Sequence, residues 1–171
     1  MNRDIRNQLF ISLFFIISLI LETLNWNLIA GEMKPSLLLL TFIYWNLALP
    51  NKVGLGSIFI FGILLDLIDG NMLGINSLIF LTASYLSQRF FYQFRVMHLL
   101  QQSIGIIFMS LLANLIFFIG SFIEQDNLLV LEGSFYFYNL LLNSFLNGVI
   151  WPLVFYISRY YRRKLIVLDR A

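Results

Sequence analysis

Two acidic residues, Glu22 and Asp66, lie inside or at the edge of apolar stretches of this sequence and are the first places to look for chemistry. An acid at mid-bilayer costs about 2.5–3.5 kcal/mol on the insertion scale, so one that is kept there marks a binding or packing site. Asp66 is the stronger of the two. Gly54, Gly62, Asp66 and Gly70 follow at steps of eight, four and four residues, which places them on one stripe of a helix. Small residues on such a stripe let a second helix approach while the acid hydrogen-bonds across the contact. The plainer expectation is an acid that caps or packs the turn into the next helix. Glu22 stands at the end of its stretch and is expected to enter the headgroups at little cost, and Asp69 to be solvated at the interface.

Amides form the second polar pattern. Asn139, Asn143 and Asn147 recur at every fourth position, with Trp151 one step further, and Ser103, Ser110, Asn114 and Ser121 line a second segment. Both stripes should face protein, because unpaired amides in hydrocarbon are costly. Pro152 cannot donate to the carbonyl of Gly148, so a kink near Asn147 and Gly148 is expected. Reactive groups are otherwise scarce. The chain has no cysteine and a single histidine, His98, which leaves little material for a thiolate or histidine metal site or a Ser-His-Asp triad. No catalytic, cofactor or metal site is expected. The net charge of +2 is too small and too scattered for a nucleic-acid surface.

The elements that hold these residues are dictated by composition. Hydrophobic residues make up 60% of the 171 residues and charged ones 12%, against roughly 45–50% and 25% in a soluble domain. That much oil points to an all-α membrane protein. The apolar residues form six blocks, about 9–26, 35–49, 53–68, 72–87, 103–123 and 134–157, read as a single six-span domain. The short turn Pro50-Asn51-Lys52 is expected to fold the second and third blocks into a tight hairpin. Six spans collect Arg3, Arg6, Lys52, Arg89, Arg95, Arg159, Arg162, Arg163, Lys164 and Arg170 on one side and leave only Lys34 on the other. Both termini are then cytoplasmic. The loop acids Glu32, Glu124, Asp126 and Glu132 fall on the opposite side.

The run Lys34-Pro35-Ser36-Leu37-Leu38-Leu39-Leu40, Ile43-Tyr44-Trp45 and Leu49-Pro50-Asn51-Lys52-Val53-Gly54-Leu55-Gly56 resembles the second-to-third-span region of the MreD family of bacterial rod-shape-determining membrane proteins. Gly62-Ile63-Leu64-Leu65-Asp66-Leu67, followed by Gly70 and Leu73-Gly74, is similar to that family's glycine and aspartate pattern, and Asn147-Gly148-Val149-Ile150-Trp151-Pro152 to its last-span motif. Lys34 stands where the family pattern leads one to expect Arg; the charge is kept but bidentate pairing is not. The resemblance implies a bundle like the six-helix substrate-binding subunits of energy-coupling-factor transporters, in the bacterial inner membrane. It also implies a non-enzymatic part of the elongation machinery, working beside the single-span protein MreC and linking MreB filaments to the peptidoglycan synthase RodA and its transpeptidase.

Two functions compete. The first is a scaffold that binds an MreC-like helix and modulates peptidoglycan synthesis, with Gly54, Gly62, Asp66, Gly70, Gly74, Asn143, Asn147, Gly148, Trp151 and Pro152 as packing or partner-binding residues. Bulky substitutions at Gly54 or Gly62 should then release the partner while leaving the bundle folded. The second is the solute-binding subunit of a transporter, with Asp66, Asn143 and Asn147 lining an outward-facing pocket. A lipid transferase ranks below both, because it needs an acid or base with a paired neighbour in a cleft.

Overall fold

The computed structural model describes residues 3–24, 34–50, 53–124 and 133–165. Among these residues the chain forms seven helices: α1 (Arg3–Thr23), α2 (Leu37–Ala48), α3 (Leu55–Asp69), α4 (Ile75–Arg89), α5 (Phe91–Val96), α6 (Leu99–Glu124) and α7 (Gly133–Leu165). Six of them coincide with the apolar blocks, and the short α5 occupies the basic segment between the fourth and fifth. The helices overrun or fall short of the blocks at their ends. α6 begins at Leu99, and α7 continues to Leu165 with Arg162, Arg163 and Lys164 in its last turn. Cations there complement the partial negative charge at a helix C-terminus, so the polar tail extends the helix instead of ending it. Lys52 and Arg170, and the loop acids Glu32, Asp126 and Glu132, lie outside the described residues.

α2 is the axis of the bundle. Its twelve residues are apolar almost all round, and everything from Leu38 to Asn46 is buried, as a helix enclosed on all sides requires. α1, α4 and α7 surround it, α3 packs on α1 and α4, and α6 packs on α4 and α7. An aromatic cluster fills the centre: Phe42 of α2 lies 4.3 Å from Phe15 of α1 and 5.2 Å from Phe80 of α4, centroid to centroid. Offset and tilted rings at these spacings add to the area they bury.

The tight hairpin falls elsewhere than the short Pro50 turn suggests. α3 pairs closely with α4, whereas its contact with α2 is slight. Small residues decide this, because Gly62 removes the side chain that would hold α4 away. A Cβ at Gly62 would meet the backbone and hydroxyl of Ser77.

The outside of the bundle is as oily as its inside. Leu141, Phe145, Val149 and Leu153 on α7, Ile104, Phe108, Leu115 and Ile119 on α6, and Leu9, Leu13, Ile16 and Ile20 on α1 all face outward. A water-soluble monomer does not carry apolar faces of this extent, and a membrane protein requires them. α6 and α7 each contain a stretch long and apolar enough to cross a bilayer, Leu99–Gly120 and Tyr138–Lys164. α2, α3 and α4 are shorter, at 12, 15 and 15 residues, which gives roughly 18–23 Å at ~1.5 Å per residue.

Candidate functional site

Three places between helices of the same chain gather the polar side chains singled out in the apolar segments. The first is the α3–α4 turn. Asp66 is completely buried. Its carboxylate accepts the Gly74 N–H at 2.7 Å, the Asn76 N–H at 3.1 Å and the Asn76 side-chain amide at 2.8 Å. Its carbonyl accepts the N–H of Gly70 and of Asn71. Asp66 thus ties the end of α3 to the start of α4 on both sides of the turn, as an acid serving that turn does. Gly70 and Gly74 flank it with φ of +70° and +98°, a left-handed geometry that costs little only for glycine. Gly54 is the residue before α3, in extended conformation with open space where a Cβ would stand. Of the glycines on the proposed stripe, Gly62 alone makes the close helix contact, and Gly54 and Gly70 stand at the two ends of α3.

The second place is the N-terminus of α2, whose first amide groups have no partner within the helix. Two distant side chains supply acceptors. Glu22 of α1 accepts the Leu38 N–H at 2.7 Å, and Asn147 of α7 accepts the Ser36 N–H at 2.9 Å through Oδ1. Glu22 is 4% exposed, covered by its own chain. A carboxylate at the positive end of the helix dipole is favourably placed. Near it Lys34, just before α2, and Asp69, the last residue of α3, form an ion pair of 2.7 Å across 35 residues of sequence, which replaces simple solvation of Asp69.

The third is the α6–α7 seam. Asn147 donates to Ser110 Oγ at 3.2 Å, Asn114 donates to Ser144 Oγ at 2.9 Å, and Trp151 Nε1 donates to Gln102 Oε1 at 3.3 Å. Gly148 lets α7 close on Ile107 and on the Ser103 carbonyl of α6. α7 stays helical through Pro152, one turn after Gly148. The two polar stripes therefore meet directly at Asn147 and Ser110, while Asn114 and Trp151 bond to Ser144 and Gln102 outside the stripes, and Asn143 Oδ1 is buried without a partner among the described residues. The side chain of Ser121 lies outside the described residues.

Two polar residues that tie helices together carried weak or unused signals in sequence. Asn46, a lone amide in the most apolar block, donates to the Ser84 carbonyl and to Ser87 Oγ and accepts from Gln88, joining α2 to α4. Gln102 joins α6 to α5 by donating to the Phe94 carbonyl at 2.8 Å.

A cavity of about 390 Å³ opens at the Glu22 end, bordered by Glu22, Lys34, Asp69, Asn76, Asn114 and Asn143. The expected pocket of Asp66, Asn143 and Asn147 is not assembled. Only Asn143 borders the cavity, because the other two are committed to the turn and to the start of α2. No group of three or more metal-ligating side chains occurs among the described residues.

With this geometry in view, the relatives are informative. The sequence pattern of the family described as rod shape-determining protein MreD matches residues 2–161. The chain belongs to the MreD family. The rod shape-determining protein MreD of Haemophilus influenzae is 33% identical over 151 residues, spanning 88% of this chain and 89% of its own length. No solved structure matches the chain. Membership in MreD assigns the chain a role in cell shape, and nothing among these relatives supports the transporter subunit. The apolar outer faces of the helices fit a membrane-embedded MreD.

Proposed function

We propose that the chain is a non-enzymatic scaffold of the bacterial cell-elongation machinery, which maintains rod shape by binding an MreC-like single-span partner and so modulates peptidoglycan synthesis. In this reading the helices form six spans in the inner membrane with both termini cytoplasmic, arranged as in the substrate-binding subunits of energy-coupling-factor transporters. MreB filaments and the RodA-transpeptidase pair are reached indirectly.

One observation carries the reading. The buried polar side chains of the apolar segments are largely bonded to neighbouring helices, as at Asp66, Glu22, Asn46 and Asn147. The outward faces of α1, α6 and α7 are left to large apolar residues. Such a bundle offers shape to a neighbouring helix and little chemistry to a substrate, and close packing is what drives helix association in lipid. Deleting the gene tests the biological role: rods should round up and recover when the wild-type chain is restored. Cells that keep their rod shape and wall-synthesis pattern would contradict it.

A further inference from the structure

The opposite end of the bundle from Glu22 holds a second pocket that the scaffold role does not use. It has a volume of about 240 Å³ and lies among the C-terminal ends of α2 and α7, the start of α6, and α5. Tyr44, Phe94, Trp151 and Phe155 supply aromatic walls, and Arg159 and Arg162 stand at its border. At ~30 Å³ per water molecule in the liquid, the space would hold about eight waters, enough for a phosphate group and a glycerol-sized remainder.

The two arginines are held over rings. The Arg159 guanidinium lies 5.7 Å from the centre of the Phe155 ring, and that of Arg162 lies 5.8 Å from the centre of the Tyr44 ring. Both are half-buried, and among the described residues neither makes an ion pair. Stacking on a ring leaves the edge of a guanidinium, with its N–H donors, available to an anion. Tyr44 is itself 3% exposed, and its hydroxyl is buried with no hydrogen-bond partner among the described residues. A buried unpaired hydroxyl is uncommon and calls for an explanation. The floor is firm, because Gln102 is fixed by Trp151 on one side and by the Phe94 carbonyl on the other. Two stacked guanidinium groups, a spare phenol and an aromatic floor make up the chemistry that recognises a phosphate carrying an apolar or glycerol substituent.

We propose that this pocket binds the phosphate group of an anionic molecule, presented either by a phospholipid headgroup or as free phosphate. The site is independent of the partner-binding reading, and its test needs only the purified full-length chain in a mild non-ionic detergent. Thermal-shift titrations with dioctanoyl phosphatidylglycerol, dioctanoyl phosphatidylcholine and inorganic phosphate give the affinity of each. The double variant R159Q/R162Q should bind at least about tenfold more weakly than the wild type, the loss of roughly one charge-assisted hydrogen bond. R163Q/K164Q, which removes two exposed charges of the same helix end, should bind within about twofold of it.

Arginine-dependent binding of the phosphatidylglycerol alone assigns the site to a lipid headgroup, and the same dependence with inorganic phosphate assigns it to a free anion. Binding by neither overturns the proposal. So do equal binding of the net-neutral phosphatidylcholine and equal losses in the two double variants. Should R159Q/R162Q fail to fold, Arg159→Lys and Arg162→Lys carry the test, since each keeps the charge and loses the planar fork. About a threefold loss is expected from either, and full wild-type affinity in both contradicts the site.

Discussion

Asp66 shows how a costly side chain becomes a structural one. Three N–H groups converge on its carboxylate within 3.1 Å, and no water-facing surface remains. Removing the carboxylate orphans the amides of Gly74 and Asn76, so Asp66→Ala should lower stability by on the order of 3 kcal/mol. Asp66→Asn should lose less, since one oxygen still accepts while the new amide opposes a donor. Lys34→Ala, at an ion pair whose partners are 38% and 25% exposed, should cost no more than about 1 kcal/mol. Thermal unfolding of the detergent-solubilised variants checks the order. A Lys34 variant as damaged as the Asp66 variant would contradict this account of the turn. Asp66 was legible as a polar group that must find partners, because its position within an apolar block is visible in the sequence. Its actual partners were not, since two of the three donors are backbone amides that any sequence would carry. The role of Glu22 is hidden in sequence for a related reason: it depends on the start of α2, 16 residues away, coming to lie beside it.

Helix pairing was less legible than helix number. The six apolar blocks mark where helices form, because apolarity is a local property, and α1, α2, α3, α4, α6 and α7 coincide with them. Which helices touch is set by side-chain size at particular positions, and loop length misled at α2 and α3. Gly62 is the deciding position, with Ser77 of α4 lying where its Cβ would be. Gly62→Ala should therefore destabilise by about 1–3 kcal/mol through overpacking. Gly54→Ala, in open space with φ of −77°, should change stability by no more than about 1 kcal/mol, in either direction. Paired unfolding measurements decide between them, and equal effects would mean that α3 and α4 do not rely on that contact. It follows that Gly62 cannot serve as a clean probe of partner binding, since a bulky residue there disturbs the bundle itself, whereas Gly54 can. The α6–α7 seam was easier to anticipate: amides and serines repeated on both blocks call for polar partners, and Asn147 and Asn114 find theirs across the seam, whereas Asn143 Oδ1 finds none among the described residues.

Taken as a whole, the bundle has two unlike ends and an oily belt between them. One end holds Glu22, Lys34, Asp69 and the capped start of α2; the other holds the aromatic pocket and the arginines of α7. The family relationship attaches this body to cell shape, and its internally bonded polar groups suit a part that holds other proteins in place. The most direct test is purification of the tagged full-length chain from its own membranes in mild detergent, followed by identification of what comes with it. The scaffold account predicts a single-span MreC-like protein, retained by the wild type and by Gly62→Ala preparations that remain folded, and reduced several-fold by Gly54→Leu at the start of α3. A folded wild-type chain that repeatedly purifies without any such partner would contradict the central claim.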